Sequence, residues 1–384
     1  MKKIRLTIII CFLVFLAGIS AAGFLAKDRE FSPNENRYLA EPPKLSWDNV
    51  LSGDFQEGLE EYLKDQIFGR DQWITIKTAV QKAAGNTDIG GAYVGKKGYD
   101  FEKITAEDVD DDLVAQNTRA LASFFKKASE TIAADRLSFL LVPTSGLVMA
   151  DKLPKNARLF DQSAYIDRVQ DAMENCSVID VRDELTAHSD EYIYYMTDHH
   201  WTTDGAFIAY RKWCESTGLA YTDKDELEQN VLTDKFRGSL YSKILDAGSA
   251  YDSIWTYGPV GEGLSSVSDY TVTVDEKKPG VIYDVEKLEE KDKYAFFFGG
   301  NYGQVHIEGK THSDKARSLL VIKDSFANAF VPLALEQFDH IYMVDLRYYN
   351  GDMQSYLAEH NITDVLVLYN ISNFISDKNL YKLQ

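Results

Sequence analysis

Two hydrophobic rhythms run along this chain. From residue 112 onward, stretches with helical spacing alternate with short, continuous apolar runs. Ala115 to Ala134 and Ala164 to Asn175 predict helices. Leu137 to Val142 (LSFLLV) and Ser177 to Val181 predict buried strands, the first of them stopping at Pro143. Ser318 to Ile322, Ile341 to Val344 and Val365 to Tyr369 are three more β-rich runs, separated by helical stretches near Ala329–Gln337 and Met353–His360. Strands that are apolar throughout and alternate with helices predict an α/β domain, with a mainly parallel sheet covered on both faces. The rhythm breaks between Tyr221 and Ser313. There the chain is rich in Gly and Tyr, and Tyr270 to Val274 and Ala295 to Phe298 read as strands of a looser, β-rich insertion. Upstream, Phe55, Leu59, Tyr62, Leu63 and Ile67 recur at helical spacing within Asp54 to Ala84, and Asn86 to Gly98 is turn-like. The expected organisation is an N-terminal apolar segment (1–26), a juxtamembrane linker with a helical segment (27–85) and an α/β domain (86–384) that carries the insertion at about 221–313.

The apolar segment sets the compartment. Lys2, Lys3 and Arg5 precede an uncharged, mostly apolar run from Leu6 to Ala26. That is the layout of a signal peptide or signal anchor, and a spanning helix needs ~20 residues. Ser20-Ala21-Ala22 offers a small-residue cleavage site, but the run continues past it to Leu25, which favours an uncleaved anchor. In either case the basic flank places residues 27–384 outside the cytoplasm. The 384 residues are 45% hydrophobic and 26% charged, which excludes a disordered chain and a polytopic membrane protein. Lysine plus arginine number 41 against 60 acidic residues, a net charge of −19. Such a surface is unsuited to wrapping nucleic acid. Of three cysteines, Cys11 lies in the apolar run, leaving Cys176 and Cys214 as the one pair that could bridge.

Two clusters carry candidate chemistry. The first is Thr197-Asp198-His199-His200-Trp201-Thr202-Thr203-Asp204-Gly205. Thr203 is a plausible N-cap, with Ala206, Ala209, Tyr210 and Trp213 marking one helix face beyond it. Asp198 to Trp201 would then be extended, and residues two apart in extended chain share a side. Asp198 and His200 can act together, with His199 turned away. A carboxylate beside an imidazole fixes its tautomer and supports the imidazolium. The second cluster is Lys323-Asp324-Ser325-Phe326, where a β-branched run meets a helix. A serine at that turn sits at the carboxyl edge of a parallel sheet, where α/β proteins place their sites, and a helix N-terminus offers N–H groups to an oxyanion. Asp-Ser before a helix is, taken alone, most often an N-cap. Adjacent histidines cannot easily converge on one ion, and no His-Glu-x-x-His or cysteine pair supports them, so neither a metal nor a cofactor is expected.

Asp198-His199-His200-Trp201 is the signature of the DHHW family, and resembles the Asp-x-His-Trp motif of the alginate O-acetyltransferase group. Lys323-Asp324-Ser325-Phe326 resembles the Gly-Asp-Ser nucleophile block of SGNH hydrolases. Serine after the Asp/His pair is the order of the circularly permuted members. Asn36-Arg37-x-Leu39 with Pro42, and Asp65-x-x-x-x-Arg70, resemble the lead-in of these proteins. The resemblance implies a three-layer SGNH-hydrolase-like domain, with Ser325 as nucleophile, His200 as base and Asp198 as its orienter. Following the permuted order, the turns after Ile341–Val344 and Val365–Tyr369 take the second and third block positions. Asn370 becomes the candidate oxyanion-hole side chain, its alternative being a plain turn residue. Arg347 becomes a candidate for a substrate carboxylate or sugar hydroxyl, its alternative a surface ion pair. Asp324 and Trp201 join them as oxyanion or substrate-binding candidates. Two departures stand out: Lys323 occupies the glycine position of the SGNH block, and one residue rather than two separates Asp198 from His200.

By this resemblance the chain would be an O-acetyltransferase acting outside the cytoplasm on a cell-envelope or secreted polysaccharide, through an acetyl-serine. It implies a multi-pass membrane acyltransferase as the source of acetyl groups. An acetyl-esterase on the same triad differs only in using water as acceptor. A non-catalytic polysaccharide-binding or assembly protein is the third reading, motivated by Lys323. Tyr192, Tyr194 and Tyr195 could stack on sugar or could be core packing.

Overall fold

A computed structural model describes residues 2–34, 37–275, 277–309 and 317–384. Asn36, and the end of the insertion at residues 310–313, lie outside the described residues. Internal contacts divide the chain into two units, residues 1–90 with 242–248, and residues 91–241 with 249–384.

The first unit begins with the helix Lys2–Leu25, in which Lys3–Gly23 has a mean hydropathy of 2.5 and is long and apolar enough to cross a membrane. The helical expectation over Asp54 to Ala84 resolves into Asp54–Gln66 and Arg70–Ala83. Gly53 and Gly69, at φ +95° and +70°, stand at the N-cap positions of these two helices. The lead-in residues meet here. Arg37 donates to both oxygens of Asp65 at 2.6 and 2.8 Å, and the Ala40 N–H reaches the same carboxylate at 2.9 Å. The Arg37 guanidinium holds the buried Asp65 carboxyl below the usual carboxylate range. The short segment 242–248 belongs to this unit: Thr78 Oγ1 donates to the Ile244 carbonyl at 2.5 Å, and Lys82 pairs with Asp246.

The second unit is built on one eight-stranded sheet. In chain order its strands are β1 (Leu137–Val142), β2 (Ser177–Ile179), β3 (Thr271–Val274), β4 (Lys278–Pro279), β5 (Gln304–Glu308), β6 (Ser318–Lys323), β7 (His340–Val344) and β8 (Asp364–Asn370). Their spatial order is β4-β3-β5-β7-β6-β8-β1-β2. The five strands from β7 to β2 are parallel, and β5, β3 and β4 extend the sheet antiparallel. All residues of β1, β6 and β8 are buried, as strands covered on both faces require. Alternate side chains enter two cores. Leu319, Val321, Leu366 and Leu368 pack with helix Thr203–Thr217, and Leu320, Ile322, Val365 and Val367 pack with Asp111–Ala128 and Met353–Glu359. This is the three-layer α/β arrangement.

The insertion departs from its expected form. Thr271–Val274 is a strand, but Lys293–Phe296 is a single 3-10 turn, not a strand. Tyr294, Phe296, Phe297 and Phe298 are all buried, so no alternation of inward and outward positions exists to define a strand face. Phe298 also turns the chain at φ +65°. The strand there is β5, eight residues later. A two-stranded antiparallel ribbon of Leu227–Phe236 with Asp252–Pro259 lies earlier in the insertion.

Candidate active site

Ser325 follows β6 at the carboxyl edge of the sheet. Four hydrogen bonds, made by three side chains, fix this turn. The Asp324 carboxylate accepts from the Phe326 N–H at 2.9 Å and the Asn370 N–H at 2.7 Å. The Trp201 indole N–H donates to the Phe326 carbonyl at 3.0 Å. The Tyr294 hydroxyl donates to the Ser325 carbonyl at 3.1 Å. Among the described residues, nothing accepts a hydrogen bond from the Ser325 backbone N–H, which leaves that donor for an incoming oxygen.

The Asp198–Trp201 segment comes to the same edge. Tyr194 and Trp201 form a bridge, and the Thr202 side chain caps helix Thr203–Thr217 by accepting from the Gly205 N–H, one residue earlier than the expected Thr203. His200 Nε2 lies 2.7 Å from Ser325 Oγ, and His200 Nδ1 lies 2.6 Å from Asp198 Oδ1. Asp198 Oδ1 also accepts the His200 backbone N–H at 2.9 Å, and Oδ2 accepts that of Ser239 at 2.7 Å. Serine, imidazole and carboxylate thus form one unbroken line across 125 residues of sequence. All three are buried, with Ser325 8% exposed.

Electrostatics sorts their protonation. Burial, aided by the neighbouring His199, pushes His200 down to about 4 despite Asp198. Burial alone would raise Asp198, but the two histidines and the His200 and Ser239 hydrogen bonds outweigh it and hold that carboxyl well below the usual range. At neutral pH the pair is therefore carboxylate and neutral imidazole. With Nδ1–H facing Asp198, the Nε2 lone pair faces the serine hydroxyl. Tyr294 stacks flat on the His200 ring, with centroids 3.8 Å apart at 9°. Such a wall excludes water from that face of the base.

Several sequence-predicted residues have other jobs. His199 makes no hydrogen bond to Ser325, yet it is not turned away. Its ring lies 3.8 Å from that of His200, and its Nδ1 meets Ser239 Oγ at 2.7 Å. The segment is too sharply bent after Asp198 for a two-residue repeat to separate the rings. Asn370 is not an oxyanion donor. Its Nδ2 is spent on the Val142 and Pro143 carbonyls at 3.2 and 3.3 Å, and its Oδ1 accepts from Ser372. The carboxamide ties the end of β8 to the end of β1. Asp324 and Trp201 are 1% and 0% exposed, and both brace the turn that carries Ser325. Arg347 grips Asp345 with two bonds of 2.6 and 2.9 Å, and lines a cavity of about 340 Å³ with Asp324 and Asn373. Tyr194 and Tyr195 are buried and Tyr192 bonds Asp252, so the tyrosine cluster is core rather than a stacking surface. Cys176 and Cys214 are free thiols, both pushed up to about 12 by burial.

Sequence reasoning missed four contributors. Gly238 permits the closest approach in the site: a Cβ there would stand 2.2 Å from Asp198 Oδ2. Ser239 holds Asp198 and His199 together. Asp252 accepts from the Met196 and Thr197 N–H groups at 2.7 and 2.8 Å and pins the strand leading into Asp198. Tyr294 is the fourth. All come from the insertion, where no spacing rule links them to the motif. Asp198, His199 and His200 are also the one grouping with metal-binding geometry among the described residues. Its atoms are already committed: Asp198 Oδ1 to His200, His199 Nδ1 to Ser239, and His200 Nε2 to Ser325.

A mainly parallel sheet between helical layers, with Ser325, His200 and Asp198 side by side at its carboxyl edge, defines a three-layer α/β domain. Comparison with known proteins gives the family. A family model described as DHHW protein matches residues 78–344, more than half of the chain, and the chain belongs to the DHHW family. Among solved structures it is similar to a DHHW family protein from Eubacterium siraeum, at 24% identity and TM-score 0.63, covering 77% of this chain and 95% of that one. It is similar to Bacillus cereus PatB1 at 23% identity and TM-score 0.62, covering 75% and 98%. A structure of PatB1 with a sulfonyl adduct matches at 22% identity and TM-score 0.60, covering 75% and 97%. These likenesses are likenesses of fold. No curated protein matches the chain.

Proposed function

We propose that this protein is an SGNH-type O-acetyltransferase that modifies a polysaccharide outside the cytoplasm, with Ser325 as nucleophile, His200 as general base and Asp198 as the group that orients it. The observation that carries the reading is the Asp198–His200–Ser325 line, with bonds of 2.6 and 2.7 Å. The resemblance of Asp198-His199-His200-Trp201 to the motif of the alginate O-acetyltransferase group suggests the substrate class, and the N-terminal apolar helix supports the compartment.

In the first half-reaction Ser325 Oγ attacks the acetyl carbonyl carbon of a donor while its proton passes to His200 Nε2. The tetrahedral oxyanion collapses, the donor's leaving group departs with the proton from His200, and an acetyl ester remains on Ser325. In the second, a sugar hydroxyl attacks that ester, gives its proton to His200, and Ser325 leaves as the hydroxyl. The single apolar helix cannot carry acetyl groups across a membrane, so a multi-pass membrane acyltransferase is the proposed donor.

The experiment is a burst assay with an activated acetyl ester, run with the unmodified protein and with Ser325→Ala. A sulfonyl fluoride serves as an independent trap, mapped by peptide mass analysis. The reading predicts a burst and a sulfonylated Ser325, both absent in Ser325→Ala. A folded Ser325→Ala protein with full turnover would refute it. A sugar acceptor that competes with water supports transfer; release to water alone favours an esterase.

A further inference from the structure

Lys323 has no part in the scheme above, although it stands two residues before the nucleophile. It is 2% exposed, and its side chain enters the same face of the sheet as Val321, the face on which His200 lies. A lysine that deep usually has a carboxylate against it. This one has two carboxamides. Its ammonium donates to Asn328 Oδ1 at 2.7 Å and to Asn301 Oδ1 at 3.4 Å. Asn328 Nδ2 also reaches Asn301 Oδ1, at 3.4 Å. Asn328 belongs to the nucleophile turn itself, since its N–H donates to the Ser325 carbonyl at 3.1 Å. Asn301 is exposed, and it ends a loop with three successive positive φ values, +65° at Phe298, +78° at Gly299 and +134° at Gly300.

The orientation of the two carboxamides follows from hydrogen-bond chemistry. An ammonium has donors only. It forces Asn328 to turn its oxygen inward, which leaves Asn328 Nδ2 facing Asn301. Asn301 then meets two donors and must also turn its oxygen inward. Its own Nδ2 therefore points outward, and among the described residues nothing accepts from it. Residues three apart on a helical turn are neighbours, so the Asn328 side chain lies roughly 5–6 Å along from Ser325. The free Asn301 amide lies one hydrogen bond further on. An exposed amide bonded to Asn328, beyond the Ser325 turn, is placed to meet an oxygen of the group that attacks the acyl-serine.

We infer that Lys323 is a positioning residue whose ammonium locks Asn328 and Asn301, so that the Asn301 amide is presented to an oxygen of the acceptor sugar. This rests on the acetyltransferase reading, which it deepens. It gives the lysine at the glycine position of the SGNH block a role: its charge orients a side-chain donor near the Ser325 turn.

The arrangement should respond to alkali. Burial pushes Lys323 down to about 8. Asp345 and Asp324 support its charge and Arg347 opposes it, Asp345 and Arg347 from the turn after β7 and Asp324 from its own turn. Above that pH the neutral amine no longer commands two oxygens, and the carboxamides are free to flip.

Two measurements test this on the full-length protein. The first follows the Asn301 carboxamide carbon by NMR from pH 6 to 10, assigned by its loss in Asn301→Ala. The expected result is an inflection near pH 8 in the unmodified protein and a flat trace in Lys323→Met. No inflection in the unmodified protein overturns the clamp, and this readout needs no turnover. The second uses p-nitrophenyl acetate as donor and chitopentaose as acceptor probe. Asn301→Ala should lower transfer relative to hydrolysis about tenfold, the scale of one lost hydrogen bond, with the acylation burst unchanged. An unchanged ratio overturns the acceptor contact. A protein that never acylates counts against the acetyltransferase reading, while the NMR titration still decides the clamp.

Discussion

Two aspartates are buried on either side of the Ser325 hydroxyl, and they are opposite in character. Asp198 faces imidazoles, which together with the hydrogen bonds it accepts hold its carboxyl well below the ordinary range. Asp324 is buried just as deeply, but its direct partners are neutral: the Asn373 amide at 2.7 Å and the N–H groups of Asn370 and Phe326. Burial raises Asp324, and these donors and the more distant Arg347 only moderate the rise. One residue type at one depth thus gives two functions. Asp198 supplies charge to a base, and Asp324 supplies acceptors to a backbone. The partner set decides the function, and burial only raises the stakes.

The difference can be broken most sharply at the base itself. His200→Ala should cost about 10⁴-fold or more in the acylation rate, because an unassisted hydroxyl is a weak nucleophile. Its thermal midpoint should move by only a few degrees. Asp198→Asn should come next, at up to ~10⁴-fold in rate, since it disturbs the tautomer that Nδ1–H maintains. Asp324→Asn should do the reverse. Losing one acceptor for a buried N–H costs about 1–3 kcal/mol of stability, read as a shift in the denaturant midpoint, with rate falling far less than for Asp198→Asn. Equal effects of the two aspartate variants on rate would erase the distinction. Gly238→Ala tests the same point from the neighbour's side: its Cβ must displace the Asp198 carboxylate, so it should resemble Asp198→Asn in rate and exceed it in instability.

The pH profile refines the comparison. A base acts when neutral, so acylation should rise as His200 loses its proton. An ordinary histidine, at ~6.5, would put that rise near pH 6–7; with His200 pushed down to about 4, it moves well into acid. A measured midpoint near 6.5 would mean that Asp198 fully offsets burial and His199. The smallest effect belongs to Trp201→Phe. It deletes the indole donor to the Phe326 carbonyl but keeps most of the packing against Phe326 and Phe330, so about 1–2 kcal/mol of stability should go, with activity near normal.

The alternation of apolar strands and helices made the parallel core legible in the sequence, because strands covered on both faces have no polar positions to obscure them. The Asp198–His200 pairing was legible for a local reason, being two residues apart. The partnership with Ser325 came from motif order, since no periodicity links positions 200 and 325. Asn370 misled because a turn asparagine reads alike whether its amide is free or spent on two carbonyls. Tyr294, Gly238 and Ser239 were invisible for the converse reason: each matters through a long-range approach inside an irregular insertion.

The central claim is that Ser325 Oγ is the atom that takes the acyl group. Brief incubation with an activated acetyl ester, an acid quench and peptide mass mapping read it directly. The account predicts acetyl on Ser325 in the unmodified protein, more of it in Asp198→Asn at matched times only if deacylation is slowed more than acylation, and none in His200→Ala over the same interval. Acetyl found on another residue, or turnover with Ser325 unmodified at every time point, would contradict it.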